Sequence, residues 1–253
     1  MNVLDPLEMI IFTPPRMGTR ALSNLIIRGK MIEHAVVDNY NFMGAKTRTT
    51  FYHTYPACLR NATNMFNLVE QDVKKELAPL FRERYSYYTW VSTMRHPVAR
   101  YASIISWHLD LGDEHATNCA KNWLEKPQTC FHMNELDSLL NIDKIVGIDY
   151  WVRTEHMAED VMNIPQLKER ILDESNPFAA KEFERIIVNN RYKSSKTKRY
   201  VSVNDIPRKT WNYFYFKYKE VYEKFGYEKY RVKEDQFPRS EPKNQKELLL
   251  HHS

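Results

Sequence analysis

The stretch Glu8–Ile27 constrains this chain most. Met9, Ile10, Ile11 and Phe12 form an apolar run of strand length. Pro14 and Pro15 stop it, because proline lacks the N–H that a sheet ladder needs. Beyond Gly18 the apolar residues Leu22, Leu25 and Ile26 recur at helical spacing. The pattern predicts a buried strand, a tight loop and a helix N-terminus in succession. Such a junction turns several backbone N–H groups and the positive end of a helix dipole toward one spot. Arg16 adds a cation, Thr19 a hydroxyl donor, and Gly18 permits close approach of the backbone. Two readings fit: a cradle for phosphate or sulfate, or an ordinary strand-to-helix turn with a surface arginine. A nucleotide-hydrolysing loop is disfavoured. It needs glycine, four residues and then Gly-Lys-Ser/Thr, whereas Gly18 is followed by Thr19 and Arg20 with no glycine before it.

A chain of 253 residues, 43% hydrophobic, can bury a sizeable core. Only 6 glycines against 16 tyrosines and 12 phenylalanines suit a compact, aromatic-rich enzyme rather than a disordered chain. The net charge of +5 suits an anionic ligand and is too small to argue for nucleic acid. No run approaches the ~20 apolar residues of a membrane span. Met1–Pro6 lacks the basic start and apolar core of a signal peptide, so a cytoplasmic or otherwise soluble intracellular protein is expected. Cys58, Cys119 and Cys130 make neither a disulfide framework nor a paired zinc pattern. His115 and Cys119 can share a helix face, and a Cys119–Cys130 bridge is left open.

Along the chain, short strands are expected at 35–37 and 49–55, and a long or broken helix at 61–84. Tyr87–Met94 reads as a strong strand running into Arg95-His-Pro-Val-Ala-Arg100, where Pro97 is placed to open a helix. This second strand–basic turn–helix unit predicts repeated β-α units with a mostly parallel sheet. Residues 110–129 read as a polar, irregular insertion, 133–140 as a short helix, and 143–153 as a strand region. Helices are expected at 156–162, 177–189 and 207–225, the last ended by Gly226. Residues 190–199 form a basic loop, and 232–253 a charged tail or surface-wrapped segment.

Ligands of open α/β sheets bind at the carboxyl ends of the strands. Two basic corners at that end, Arg16–Thr19 and Arg95–Ser103, imply a ligand with two anionic groups. Arg95 ends its strand and Ser103 lies two turns into the next helix, so both can reach one phosphate. The alternatives are a salt bridge at the strand end for Arg95 and helix packing for Ser103.

Thr13-Pro-Pro-Arg-Met-Gly-Thr-Arg-Ala-Leu22 resembles the 5′-phosphosulfate loop of sulfotransferases that use PAPS (3′-phosphoadenosine-5′-phosphosulfate). Met94-Arg-His-Pro-Val-Ala-Arg-Tyr-Ala-Ser103 resembles the same family's 3′-phosphate motif, and 151–160 its later Arg-x-Glu segment. The similarities keep the family's order from about residue 8 to 230. The resemblance implies a P-loop-like three-layer α/β fold, with a mostly parallel central sheet flanked by helices in one domain over 1–231. It also implies PAPS as co-substrate, PAP (adenosine 3′,5′-bisphosphate) as product, and no metal. By position, Arg16, Gly18 and Thr19 would hold the phosphosulfate, with Met17, Arg20 and Ala21 contributing mainly backbone. Arg95 and Ser103 would bind the 3′-phosphate, and the loop containing Lys193 and Lys196 would close over the nucleotide.

Many family members carry lysine where this chain has Arg16, and arginine there is similar to the tyrosylprotein branch. Arginine is a very poor proton donor at neutral pH, so its help to the leaving group is electrostatic. Transfer also needs a base, and histidine titrates near working pH. His53 is the first choice, because Phe51-Tyr-His-Thr-Tyr55 resembles the Tyr-His-x-His segment of glycan uronyl 2-O-sulfotransferases, with Tyr55 in place of the second histidine. Glu33 and His34 are the second choices, and Glu155 reads as structural, orienting Arg153 or a loop. The favoured acceptor is a carbohydrate hydroxyl, then peptide tyrosine, then a small alcohol or lipid. Rival readings are a P-loop-like small-molecule kinase and a non-enzymatic anion-binding adaptor.

Overall fold

The computed structural model describes residues 2–4, 7–13, 16–32, 82–83, 85–189 and 201–232. Several expectations lie outside the described residues: the strands at 35–37 and 49–55, nearly all of the helix at 61–84, the loop at 190–199, and the tail from 233.

Four strands form the described sheet, in the order β1 (Asn2–Leu4), β2 (Met9–Phe12), β3 (Thr89–Met94), β4 (Tyr150–Arg153). β2, β3 and β4 run parallel, with Ile10 opposite Trp90 and Met94 opposite Arg153. β1 is antiparallel to β2 and was not expected; at three residues it is too short to show a period.

Side chains alternate across the sheet, and both faces are apolar. Ile10, Trp90 and Met94 enter one buried cluster, shared with α2 (Pro97–Leu111), α3 (Glu114–Glu125), α4 (Asn134–Val146), α8 (Arg208–Lys217) and α9 (Lys219–Phe225). Met9, Ile11, Val91 and Val152 enter the other, shared with α1 (Thr19–Arg28), α5 (Met157–Met162), α6 (Pro165–Leu172) and α7 (Pro177–Asn189). The molecule is therefore mixed α/β, with a small parallel sheet covered by helices on both faces, as the repeated β-α pattern predicts.

The insertion expected at 110–129 is instead mostly helix. Gly112, at φ 75°, ends α2, and the Asp113 carboxylate then caps α3 by accepting from Ala116 N–H at 2.7 Å. Ala116, Ala120 and Trp123 form the narrow buried stripe that a mostly polar sequence hid. The strand region expected at 143–153 is split. α4 continues to Val146 because that residue still faces the core, and Gly147, at φ 69°, ends it before β4. α6 was not expected. The single helix expected at 207–225 is two, since Tyr218 leaves helical geometry at φ −113° and ψ 32°. Its buried hydroxyl donates to the Met133 carbonyl at 3.0 Å, which anchors the break against α4. Gly226, at φ 65°, closes α9 as expected.

Candidate functional site

Both basic corners follow parallel strands and leave the sheet at the same end. The first is tightly wound. Arg16 sits at φ 65° and Gly18 at φ 81°, and no side chain caps α1. No acidic residue occupies the first turn of α1, so the positive end of its dipole is not offset there. Gly18 is required by its neighbours as well as by its φ. A Cβ there would stand 2.6 Å from Met157 Cε and 3.0 Å from Thr154 Oγ1. The direction a side chain would take is thus filled by the segment after β4 rather than left open toward a ligand. Met17 and Thr19 are buried, and Ala21 is half-buried on the first turn of α1.

The second corner is built on the first. Arg95 Nη1 donates to the Arg16 carbonyl at 3.4 Å, a long hydrogen bond joining the two loops. The Arg16 guanidinium lies 4.9 Å from the centroid of the Trp107 ring on α2. Ser103 precedes Trp107 by four residues, one turn along the same helix face. Residues 79 apart in sequence are thereby gathered around one spot, with two guanidinium groups among them. Such a pair favours a dianionic or doubly anionic ligand, since guanidinium groups match phosphate and sulfate oxygens in geometry and charge.

Behind this spot the end of β3 is clamped. Glu155 is buried; one carboxylate oxygen accepts from His96 N–H at 2.8 Å, and the other from the Tyr227 hydroxyl at 3.1 Å. Burial, then the nearby Glu155 charge, pushes the Tyr227 phenol well above its ordinary range, so it stays a donor. His96 caps α2 by accepting from Val98 N–H at 3.2 Å, and its other ring nitrogen contacts the Glu228 carbonyl at 3.1 Å. Of the two partners expected for Glu155, Arg153 or a loop, it takes not Arg153 but the His96 N–H and the Tyr227 hydroxyl in the segment after α9. Arg153 is oriented by Asp160, whose carboxylate accepts from Arg153 Nε at 2.9 Å, Nη2 at 2.7 Å and backbone N–H at 2.7 Å. The hydrogen bond to Asp160 raises the Arg153 pKa further.

The structure thus puts Arg16, Met17 and Gly18 in one loop and Thr19 and Ala21 in the first turn of α1, and sets Arg95 beside them, with Ser103 on α2 one turn before Trp107. Arg20 is the second residue of α1, while His53, Glu33, His34, Lys193 and Lys196 lie outside the described residues. Cys119 and Cys130 are free thiols, and Cys119 lies 3.7 Å from His115 on the exposed side of α3. Among the described residues no helix is long and apolar enough to cross a membrane.

Sequence reasoning gave neither His108 nor His132 a role. The two ring Nε2 atoms lie 3.0 Å apart, and both side chains are buried. Burial lowers the His108 pKa from its ordinary value to about 4, helped by His132, Arg16 and His115 and opposed by Asp113. Their separation of 24 residues leaves no local signal.

No family model, no curated protein and no solved structure matches this chain.

Proposed function

We propose that this protein is a sulfotransferase that moves the sulfuryl group of PAPS to an acceptor hydroxyl, with a carbohydrate as the favoured acceptor. The observation that carries this reading is the Arg95 hydrogen bond to the Arg16 carbonyl. It sets two basic strand-to-helix corners side by side, and a nucleotide with two anionic groups needs two such corners. The order of the two motifs in the sequence supports the same reading, as does the parallel sheet with helices on both faces.

In this mechanism the donor's phosphosulfate sits in the Arg16–Ala21 loop, and its 3′-phosphate meets Arg95 and Ser103. The acceptor oxygen attacks sulfur in line as its proton passes to a base, the role proposed for His53. The bond from sulfur to the bridging oxygen breaks, and its electron pair stays on the 5′-phosphate of PAP. The loose, charge-spreading transition state of phosphoryl transfer is the nearest analogue, so catalysis is mostly positioning and electrostatics. Arg16 and the loop N–H groups stabilise charge on the leaving side. Lys193 and Lys196 belong to this proposal as residues closing over the nucleotide.

The test is thermal stability with ligand. PAP should raise the melting temperature in a concentration-dependent way, while ATP with Mg²⁺ should not. Stabilisation by ATP with Mg²⁺ instead would favour the kinase reading, and no response to either would favour an adaptor. Acceptor class is then read from radiolabelled PAPS offered with glycans, tyrosine peptides and small alcohols.

A further inference from the structure

Trp107 is half-buried on α2, one turn beyond Ser103, and its indole ring carries the Arg16 guanidinium at 4.9 Å from the centroid. Two buried histidines meet the same ring edge-on, His108 at 4.8 Å and 80°, His132 at 5.7 Å and 67°. The two histidines contact each other, and His108 packs edge-on against Trp123 at 4.5 Å. The indole thus stands on a packed base that limits the rotamers open to it. Arg16 is held at two points. Arg95 Nη1 donates to its backbone carbonyl at 3.4 Å, and the indole carries its side chain. A ring face attracts a cation through its quadrupole and leaves the positive charge in place, which a carboxylate partner would cancel. It also suits a planar guanidinium better than the compact, strongly hydrated ammonium of a lysine.

We propose that Trp107 is a positioning residue for the donor site, setting the Arg16 guanidinium where the 5′ end of the nucleotide lies; the inference rests on the sulfuryl-transfer reading above. Arg16 acts on the ligand, and Trp107 acts only through Arg16. A guanidinium released from the ring would have to be ordered when the ligand binds, at a cost in side-chain freedom that packing on the ring removes beforehand. The effect falls on the 5′ end alone, because the 3′-phosphate meets Arg95 and Ser103 in the same reading. α2 thereby serves both ends of the nucleotide, the 3′-phosphate through Ser103 and the 5′ end through Trp107 one turn further on.

Calorimetric titration with two nucleotides tests this. PAP carries the 5′ group that Arg16 would hold, and adenosine 3′-monophosphate lacks it. Trp107→Leu should weaken PAP binding about 10-fold and leave adenosine 3′-monophosphate unchanged, whereas a merely structural disturbance weakens both. Trp107→Phe keeps a smaller ring and should fall between wild type and Trp107→Leu for PAP. Arg16→Ala combined with Trp107→Leu should weaken PAP little more than Arg16→Ala alone, because the ring has no effect without the guanidinium. Equal weakening of both nucleotides would overturn the proposal and leave the donor reading intact. So would unchanged PAP affinity in Trp107→Leu, or losses that multiply in the double variant. A wild-type protein that binds neither nucleotide would sink the donor reading and this one with it. Should Trp107→Leu fail to fold, Trp107→Phe decides: PAP weakened about two- to threefold with adenosine 3′-monophosphate unchanged supports the pairing, and unchanged PAP affinity overturns it.

Discussion

Arg16 does two things that substitution can separate. It holds a left-handed backbone conformation at φ 65°, which costs a non-glycine residue about 1–2 kcal/mol, and it supplies the loop's cation. Arg16→Ala and Arg16→Gly should therefore both lose roughly 2–4 kcal/mol of transition-state stabilisation at saturating PAPS. In urea denaturation, however, Arg16→Gly should be the more stable by about 1 kcal/mol, because only glycine relieves the strain. Equal turnover in wild type and Arg16→Ala would remove Arg16 from the mechanism. Gly18→Ala is a packing test. The new methyl meets Met157 as well as an unfavourable φ, so stability should drop by about 1–3 kcal/mol. A double-mutant cycle with Met157→Ala should show favourable coupling, since the smaller neighbour removes the clash but not the strain.

The helices differ in how openly the chain announces them. α7 matches its predicted span of 177–189, because Pro177 starts it and its apolar residues keep helical spacing. β2 was likewise legible as an apolar run, β3 as a β-branched and aromatic one, and α2 from Pro97 at its first position. α3 was not legible, because three buried residues on an otherwise polar helix give a weak period. The break between α8 and α9 was equally hidden, since the apolar pattern continues through it. What decides that break is tertiary: Tyr218 turns its hydroxyl to the Met133 carbonyl across a buried contact. Tyr218→Phe should cost about 1–2 kcal/mol by stranding that carbonyl, measured as a lower denaturation midpoint at unchanged m-value. An unchanged midpoint would mean that another group satisfies the carbonyl.

Across the whole molecule, the Glu155 clamp ties the segment after α9 to the end of β3, beside the two arginines. Glu155→Ala should strand the buried His96 N–H, costing about 1–3 kcal/mol, and hydrogen exchange should speed up at 226–232 before other regions. Global stability should also carry the signature of His108. Between about pH 6.5 and about pH 4 the unfolded chain binds a proton at this ring and the folded chain does not, so acidification favours unfolding. The stability difference between wild type and His108→Phe should thus shrink as pH falls through that window, in denaturation series taken at each pH. A difference that stays constant would show that the ring titrates normally in the fold. By itself the sequence determined the α/β class, the two basic strand-to-helix corners and the spans of α5 and α7, because periodicity, proline and glycine act over a few neighbouring residues. Only the tertiary structure decided that Arg95 bonds to the Arg16 carbonyl, that Asp160 rather than Glu155 orients Arg153, and that His108 meets His132. Those contacts join residues whose nearness depends on how the layers pack, and no short-range pattern encodes that.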